Sequence, residues 1–292
     1  MSVIPELRAG MAGVAPFQRA FDFTRFAPRS FPGQADQRLL ELSVAIDKHE
    51  TNLRFNKGLE GYLVYRGECK NLSDEESICL AKLNLTQAER YLMNVVSLTD
   101  ITPEYVEGAC INGLGHATVV LDLLSRIVDK HCVVDQKKLK KDALLKAIED
   151  VLLPVKLIIR RSIDQYQLRE MGLRRDLSPG EPFPMKKEFD DLAETLVRNS
   201  TVLNVSIEGD RNKDVELRIN VEELFRKGAL QGLNWIELVK LATICQALST
   251  LSLYQLTLKD FPIPDTNIAR KSLTSLVETQ GLLFLAQEKL RV

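Results

Sequence analysis

Nine residues in the middle of the chain, Val151-Leu152-Leu153-Pro154-Val155-Lys156-Leu157-Ile158-Ile159, are apolar at every position but Lys156. They lie inside a longer stretch, Asp135 to Met171, whose ends are basic: Lys137, Lys138, Lys140 and Lys141 on one side, Arg160 and Arg161 on the other. A helix that is apolar almost all the way round has to be covered by other elements. The stretch therefore predicts the central helix of a bundle, capped at Asp135 and stopped at Gly172. Pro154 lacks an amide donor and its ring clashes with the carbonyl of Asp150, which predicts a kink or break there.

The rest of the chain reads as helices around that one. Residues 1–35 hold four prolines and, between Phe17 and Phe31, five of the eleven phenylalanines, with Arg19, Arg25 and Arg29 among them. Proline breaks regular structure while Phe needs burial. An extended arm anchored by Phe17, Phe21, Phe23 and Phe26 meets both demands. It wraps its own core, exchanges between subunits, or contacts nucleic acid directly. A helix is expected over 36–56, then a Gly-punctuated loop around Tyr62 and Tyr65. Ser73 and Glu76 have capping-box spacing and open a helix over 74–98. Thr102-Pro103 opens another, reaching Lys130 and loosened near Gly113 and Gly115.

Residues 173–185 hold three prolines and a glycine and form the clearest linker. A helix over 186–199 follows. The period then changes. Val202, Leu203, Val205 and Ile207 precede a polar turn, and Val215, Leu217 and Ile219 alternate with charged or polar residues, which predicts a β-hairpin near 202–220. Helices resume over 221–227, 234–258 and 266–289, with Asn234 and Thr266 as caps. The expected fold is mainly α: a multi-helix bundle in one lobe or two, with the N-terminal arm at 1–35. One helical lobe would span 36–172, with the linker at 173–185, and a second 186–292, including the hairpin.

Charge is uneven along the chain. Residues 36–128 carry 14 acids and 9 bases, whereas 129–187 carry 9 acids and 14 bases. A basic mid-chain meets a polyanion or an acidic surface of its own protein or a partner. Lys138 and Lys156 lie five helical turns apart and share a face, yet Leu145, Leu152 and Leu153 interrupt a continuous stripe. Two basic clusters flanking a groove suit phosphate contact better, with Lys137, Lys138, Lys140 and Lys141 in one and Arg160, Arg161, Arg174 and Arg175 in the other.

Catalytic patterns do not survive inspection. Gly113-Leu114-Gly115-His116 lacks a preceding strand and a following Gly-Lys-Ser/Thr, so two helices in close approach explain it better than a phosphate loop. Cys110, His116, His131 and Cys132 lack the short paired spacing of metal ligands. They read as structural cysteines and surface or capping histidines. The carboxylates Asp74/Glu75/Glu76, Asp190/Asp191 and Glu222/Glu223 sit near predicted helix starts, where the helix dipole favours negative charge. No cofactor and no metal is expected. Five unpaired-looking cysteines and no signal-like N-terminus suggest an intracellular, cytoplasmic protein. The uncharged run Leu241–Leu258, interrupted by Thr, Gln and Ser, reads as a buried helix and not a membrane span.

Together these features point to a non-enzymatic, self-associating assembly protein, nucleoprotein- or capsid-like, that forms homo-oligomers and binds a polyanion, RNA first. The alternatives are an adaptor or regulatory subunit whose basic segment faces an acidic protein partner, and an enzyme with no local sequence signature.

Overall fold

The computed structural model describes residues 72–97, 102–131, 142–170, 186–208, 216–256 and 266–292. Among them the chain is mainly α. The helices are α1 (Asp74–Ser97), α2 (Pro103–His131), α3 (Ala143–Glu170), α4 (Lys186–Arg198) and the single turn α5 (Ser200–Leu203). Strands β1 (Val205–Glu208) and β2 (Glu216–Ile219) precede α6 (Val221–Arg226), a 3-10 turn (Ala229–Gly232), α7 (Trp235–Leu256) and α8 (Thr266–Leu290). The N-terminal arm with Phe17, Phe21, Phe23 and Phe26, the helix expected over 36–56 and the linker at 173–185 lie outside the described residues.

Local chemistry sets the helix starts. Glu76 N–H donates to Ser73 Oγ at 3.1 Å, and Ser73 N–H to Glu76 Oε2 at 2.7 Å, a reciprocal capping box. Asn234 and Glu237 repeat it before α7, at 3.0 and 2.8 Å. Asn220 Oδ1 accepts from Glu223 N–H at 2.9 Å and starts α6. Thr266, expected as a cap, is the first residue of α8. Asp142 Oδ1 accepts from Leu144 N–H at 2.9 Å at the head of α3; Asp135, the expected cap, lies outside the described residues. The helix runs through Pro154 without a break.

The central helix is α7, not the 135–171 stretch. Every residue from Leu238 to Thr250 is buried, and α7 packs against α2, α3, α8 and β2. By contrast α3 leaves Leu153 68% and Leu157 45% exposed. The polar interruptions in α7 cost little because they bond locally. Thr243 Oγ1 donates to the Val239 carbonyl at 2.8 Å and Thr250 Oγ1 to that of Gln246 at 2.9 Å. Gln246 Nε2 reaches the Ala117 carbonyl on α2 at 3.1 Å, and the Ser249 and Ser272 hydroxyls meet at 2.9 Å between α7 and α8. One buried apolar cluster runs from Ile78 on α1 to Ala286 on α8. Among the described residues, two stretches, Gly108–His131 and Trp235–Leu253, are long and apolar enough to cross a membrane, and 71% and 78% of their apolar windows are buried inside the protein.

The hairpin forms with Val205 opposite Ile219 and Ile207 opposite Leu217. It starts later than the pattern suggests, because Val202 and Leu203 belong to the α5 turn. Asn204, at φ 51° and ψ 53°, ends that turn in the left-handed region, which Asn tolerates better than most residues. Ile219 is buried and β2 lies on α7, which supplies the support a two-stranded sheet needs.

The loosening expected at Gly113 and Gly115 is absent: α2 is continuous there. Gly113 marks a close helix approach instead. A Cβ at this position would meet the Leu253 side chain at 3.8 Å and the Ala88 carbonyl oxygen at 3.9 Å. There is room for a methyl and no more. Gly113→Ala is expected to stabilise by about 0.5–1 kcal/mol through helix propensity, while Gly113→Leu should cost about 1–3 kcal/mol by overpacking. Urea unfolding of the two variants checks this, and a Leu variant as stable as wild type would contradict the close approach.

Candidate interaction surface

Helix α3 is walled on two sides. Toward α2, Lys156 Nζ lies 2.7 Å from Asp129 Oδ1. Toward α4, Arg161 Nε lies 3.3 Å from Glu188 Oε1. Its inner side, with Val151, Val155, Ile158 and Ile159, is buried. Between the walls runs an outward strip of Lys146, Asp150, Leu153, Leu157 and Arg160, all exposed. Lys146, Asp150 and Arg160 make no ion pair among the described residues. The other exposed large apolar side chains of the described residues, Leu83, Val197 and the terminal Val292, stand on three other segments. Only on α3 do two such side chains share one face, one turn apart.

Of the residues the sequence nominates for a polyanion, Arg160 and Arg161 are described. Both are exposed, close to the C-terminal end of the strip, and Arg161 already has Glu188 as a partner. Lys137, Lys138, Lys140, Lys141, Arg174 and Arg175 lie outside the described residues. The strip itself is mixed in sign and apolar at its centre.

The residues considered for metal or thiol chemistry are dispersed. No group of three metal-ligating side chains occurs among the described residues. Gly113 to His116 lie inside α2, where no phosphate loop can form. His116 is a correction to the surface or capping role expected of it, because it is buried. Its Nδ1 lies 3.0 Å from Asn84 Oδ1 and its ring stacks on Tyr91 at 6.0 Å. Burial pushes its pKa down to about 4. His131 closes the last turn of α2, with Nε2 2.7 Å from Asp74 Oδ2 and its ring edge-on to Trp235 at 5.1 Å. Burial raises the Asp74 carboxyl, but hydrogen bonds from His131 and Lys130 outweigh it and hold it below its ordinary value. Asp74, Glu75 and Glu76 occupy the first turn of α1, and Glu222 and Glu223 that of α6. Asp190 and Asp191 fall beyond the first turn of α4, which holds Glu188.

Sequence reading missed the buried charges. Glu278 on α8 is 3% exposed. Its Oε1 accepts from Arg218 Nη2 at 2.8 Å and Nε at 3.3 Å, tying the hairpin to α8. Burial pushes its pKa up to about 7, and the Arg218 guanidinium offsets this only in part. One signal was available: Glu278 is the single charge between Lys271 and Glu288. Cys245, on α7, is buried near the same carboxylate; burial and that negative charge push its thiol well up, so it stays protonated at neutral pH. Lys240 on α7 is also buried and pairs with Glu149 of α3.

Neither a protein-family model, nor a curated protein, nor a solved structure matches the chain.

Two opposed pH effects follow from the buried groups. The folded pKa of Glu278, about 7, lies above its ordinary 4.5. Its contribution to stability is full below pH 4.5 and is lost as pH rises through 7. Glu278→Gln should remove that loss, on the order of 3 kcal/mol. The folded pKa of His116, about 4, lies below 6.5, so its contribution is lost as pH falls from 6.5 to 4, and His116→Gln should flatten that limb. Urea unfolding of each variant at pH 4.5, 6.5 and 8 separates the two.

Proposed function

We propose that this chain is a non-enzymatic, self-associating assembly protein that binds a polyanion, RNA first, in the manner of a nucleoprotein or capsid subunit. The outward strip of α3 carries the reading. Its adjacent exposed leucines, flanked by charges with no ion pair among the described residues, favour contact with another protein surface. Arg160 ends the strip and Arg161 stands beside it, and the lysines of 137–141 and Arg174 and Arg175 flank α3 in the chain. Several such charges on one surface favour phosphate. The thiols of Cys79 and Cys245, which form no disulfide among the described residues, accord with a reducing, cytoplasmic site.

A second reading, an adaptor that docks on an acidic protein, is favoured by Asp150 within the strip and by the prior pairing of Arg161 with Glu188. RNA titration separates the two. On the assembly reading, the double variant Arg160→Glu/Arg161→Glu binds single-stranded RNA at least about tenfold more weakly, and its log–log salt slope is shallower by roughly 1.4. Unchanged affinity in the double variant removes both arginines from the RNA surface. No binding by the wild-type chain leaves the adaptor.

A further inference from the structure

The strip on α3 has a definite spacing. Lys146, Asp150, Leu153, Leu157 and Arg160 follow one another at alternating intervals of four and three residues. That is the spacing of a single seam on a helix that meets a partner helix. The seam spans about 21 Å at 1.5 Å per residue, and in the sequence the same spacing reaches Asp164. Its edges are closed, since Lys156 and Arg161 are paired to α2 and α4.

We infer that this seam pairs, antiparallel, with the same seam of a second copy of the chain, about a two-fold axis at the level of Val155. The inference rests on the self-association half of the proposed function; it turns Arg160 to the seam and leaves Arg161 and the flanking basic residues to phosphate, and its own test reads mass on nuclease-treated protein. The two-fold places Leu153 against Leu157 of the partner subunit, so the four exposed leucines of the pair form one apolar centre. It places Asp150 against Arg160 of the partner subunit, and Arg160 against the partner subunit's Asp150. These are two opposite-charge contacts made from residues that have no ion pair among the described residues.

Other arrangements fail on charge or on register. A parallel, in-register pair sets Asp150 on Asp150 of the partner subunit and Arg160 on the partner subunit's Arg160. An axis moved by half a heptad sets a leucine against a charge. The N-terminal arm is a poorer occupant: Arg19, Arg25 and Arg29 against a single Asp22 make it basic between Phe17 and Phe31. It would face a seam that holds Lys146 and Arg160 and only one described acid. A two-fold contact needs no second surface, because each copy supplies both halves. One helix per partner is a small contact beside the roughly 800 Å² per partner of a standard interface, so the dimer is sought at micromolar concentration.

Sedimentation of the full, nuclease-treated chain from about 1 to 100 μM tests this with two charge reversals and their combination. Asp150 and Arg160 are both exposed, so circular dichroism should show an unchanged fold in every variant. Asp150→Arg and Arg160→Asp should each weaken dimerisation by about tenfold or more, since each reversal sets like charges together twice per dimer. The double variant Asp150→Arg/Arg160→Asp should recover to within about threefold of wild type. Leu153→Lys should abolish the dimer. Reversals that leave the mass unchanged overturn the seam while leaving self-association through another surface, the arm first. Loss in both single variants without recovery in the double overturns the two-fold register. A monomer at every concentration overturns both the seam and the assembly reading, whatever the RNA titration shows.

Discussion

The described residues are arranged around one helix, α7, that has no wet side from Leu238 to Thr250. Each residue of that span is buried, so the helix is stable only where other elements enclose it. Helices α2, α3 and α8 and strand β2 do so. The hydrophobic effect sets the number of walls, because apolar area left uncovered on α7 would cost roughly 25 cal/mol for each Å². The outer helices are then wet on one side by necessity. What each shows on that side is open to function.

Polar contacts settle how the walls are oriented. Arg218 reaches Glu278, so the hairpin is held against α8. Lys240 reaches Glu149, so α3 is tied to α7. Asn84 holds His116 between α1 and α2. Buried charges of this kind add little net stability, because removing them from water costs about as much as their attraction returns. Breaking one is costly, so alternative packings that separate the partners are disfavoured. The side of α3 that faces solvent is thus a consequence of contacts on its other sides.

Local features are legible in the order of residues alone. Ser73 and Asn234 announce their helices because a cap is made with residues three positions away. The alternation of Val215, Leu217 and Ile219 announces a strand because successive side chains point to opposite faces. Non-local features are not legible in this way. The run 151–159 has fewer polar interruptions than 241–253, yet it is the second that lies at the centre. Hydroxyl side chains bonded to their own helix backbone, as Thr243 and Thr250 are, are nearly as easily buried as apolar ones. The 3.6-residue turn lets Leu153 and Leu157 point away from Val155 and Ile158, and nothing in their own identity says which pair is inside.

Residue order alone therefore determined the class of fold, most helix boundaries, the hairpin and the basic character of the mid-chain, since each depends on neighbours within a few residues. Only the tertiary structure decided that α7 is central and that Glu278 and His116 are buried. It also decided that the charges and leucines of α3 share one exposed seam. Those outcomes depend on which distant surfaces exclude water from one another, and contacts between residues such as Arg218 and Glu278, sixty positions apart, leave no periodic trace in the chain that makes them.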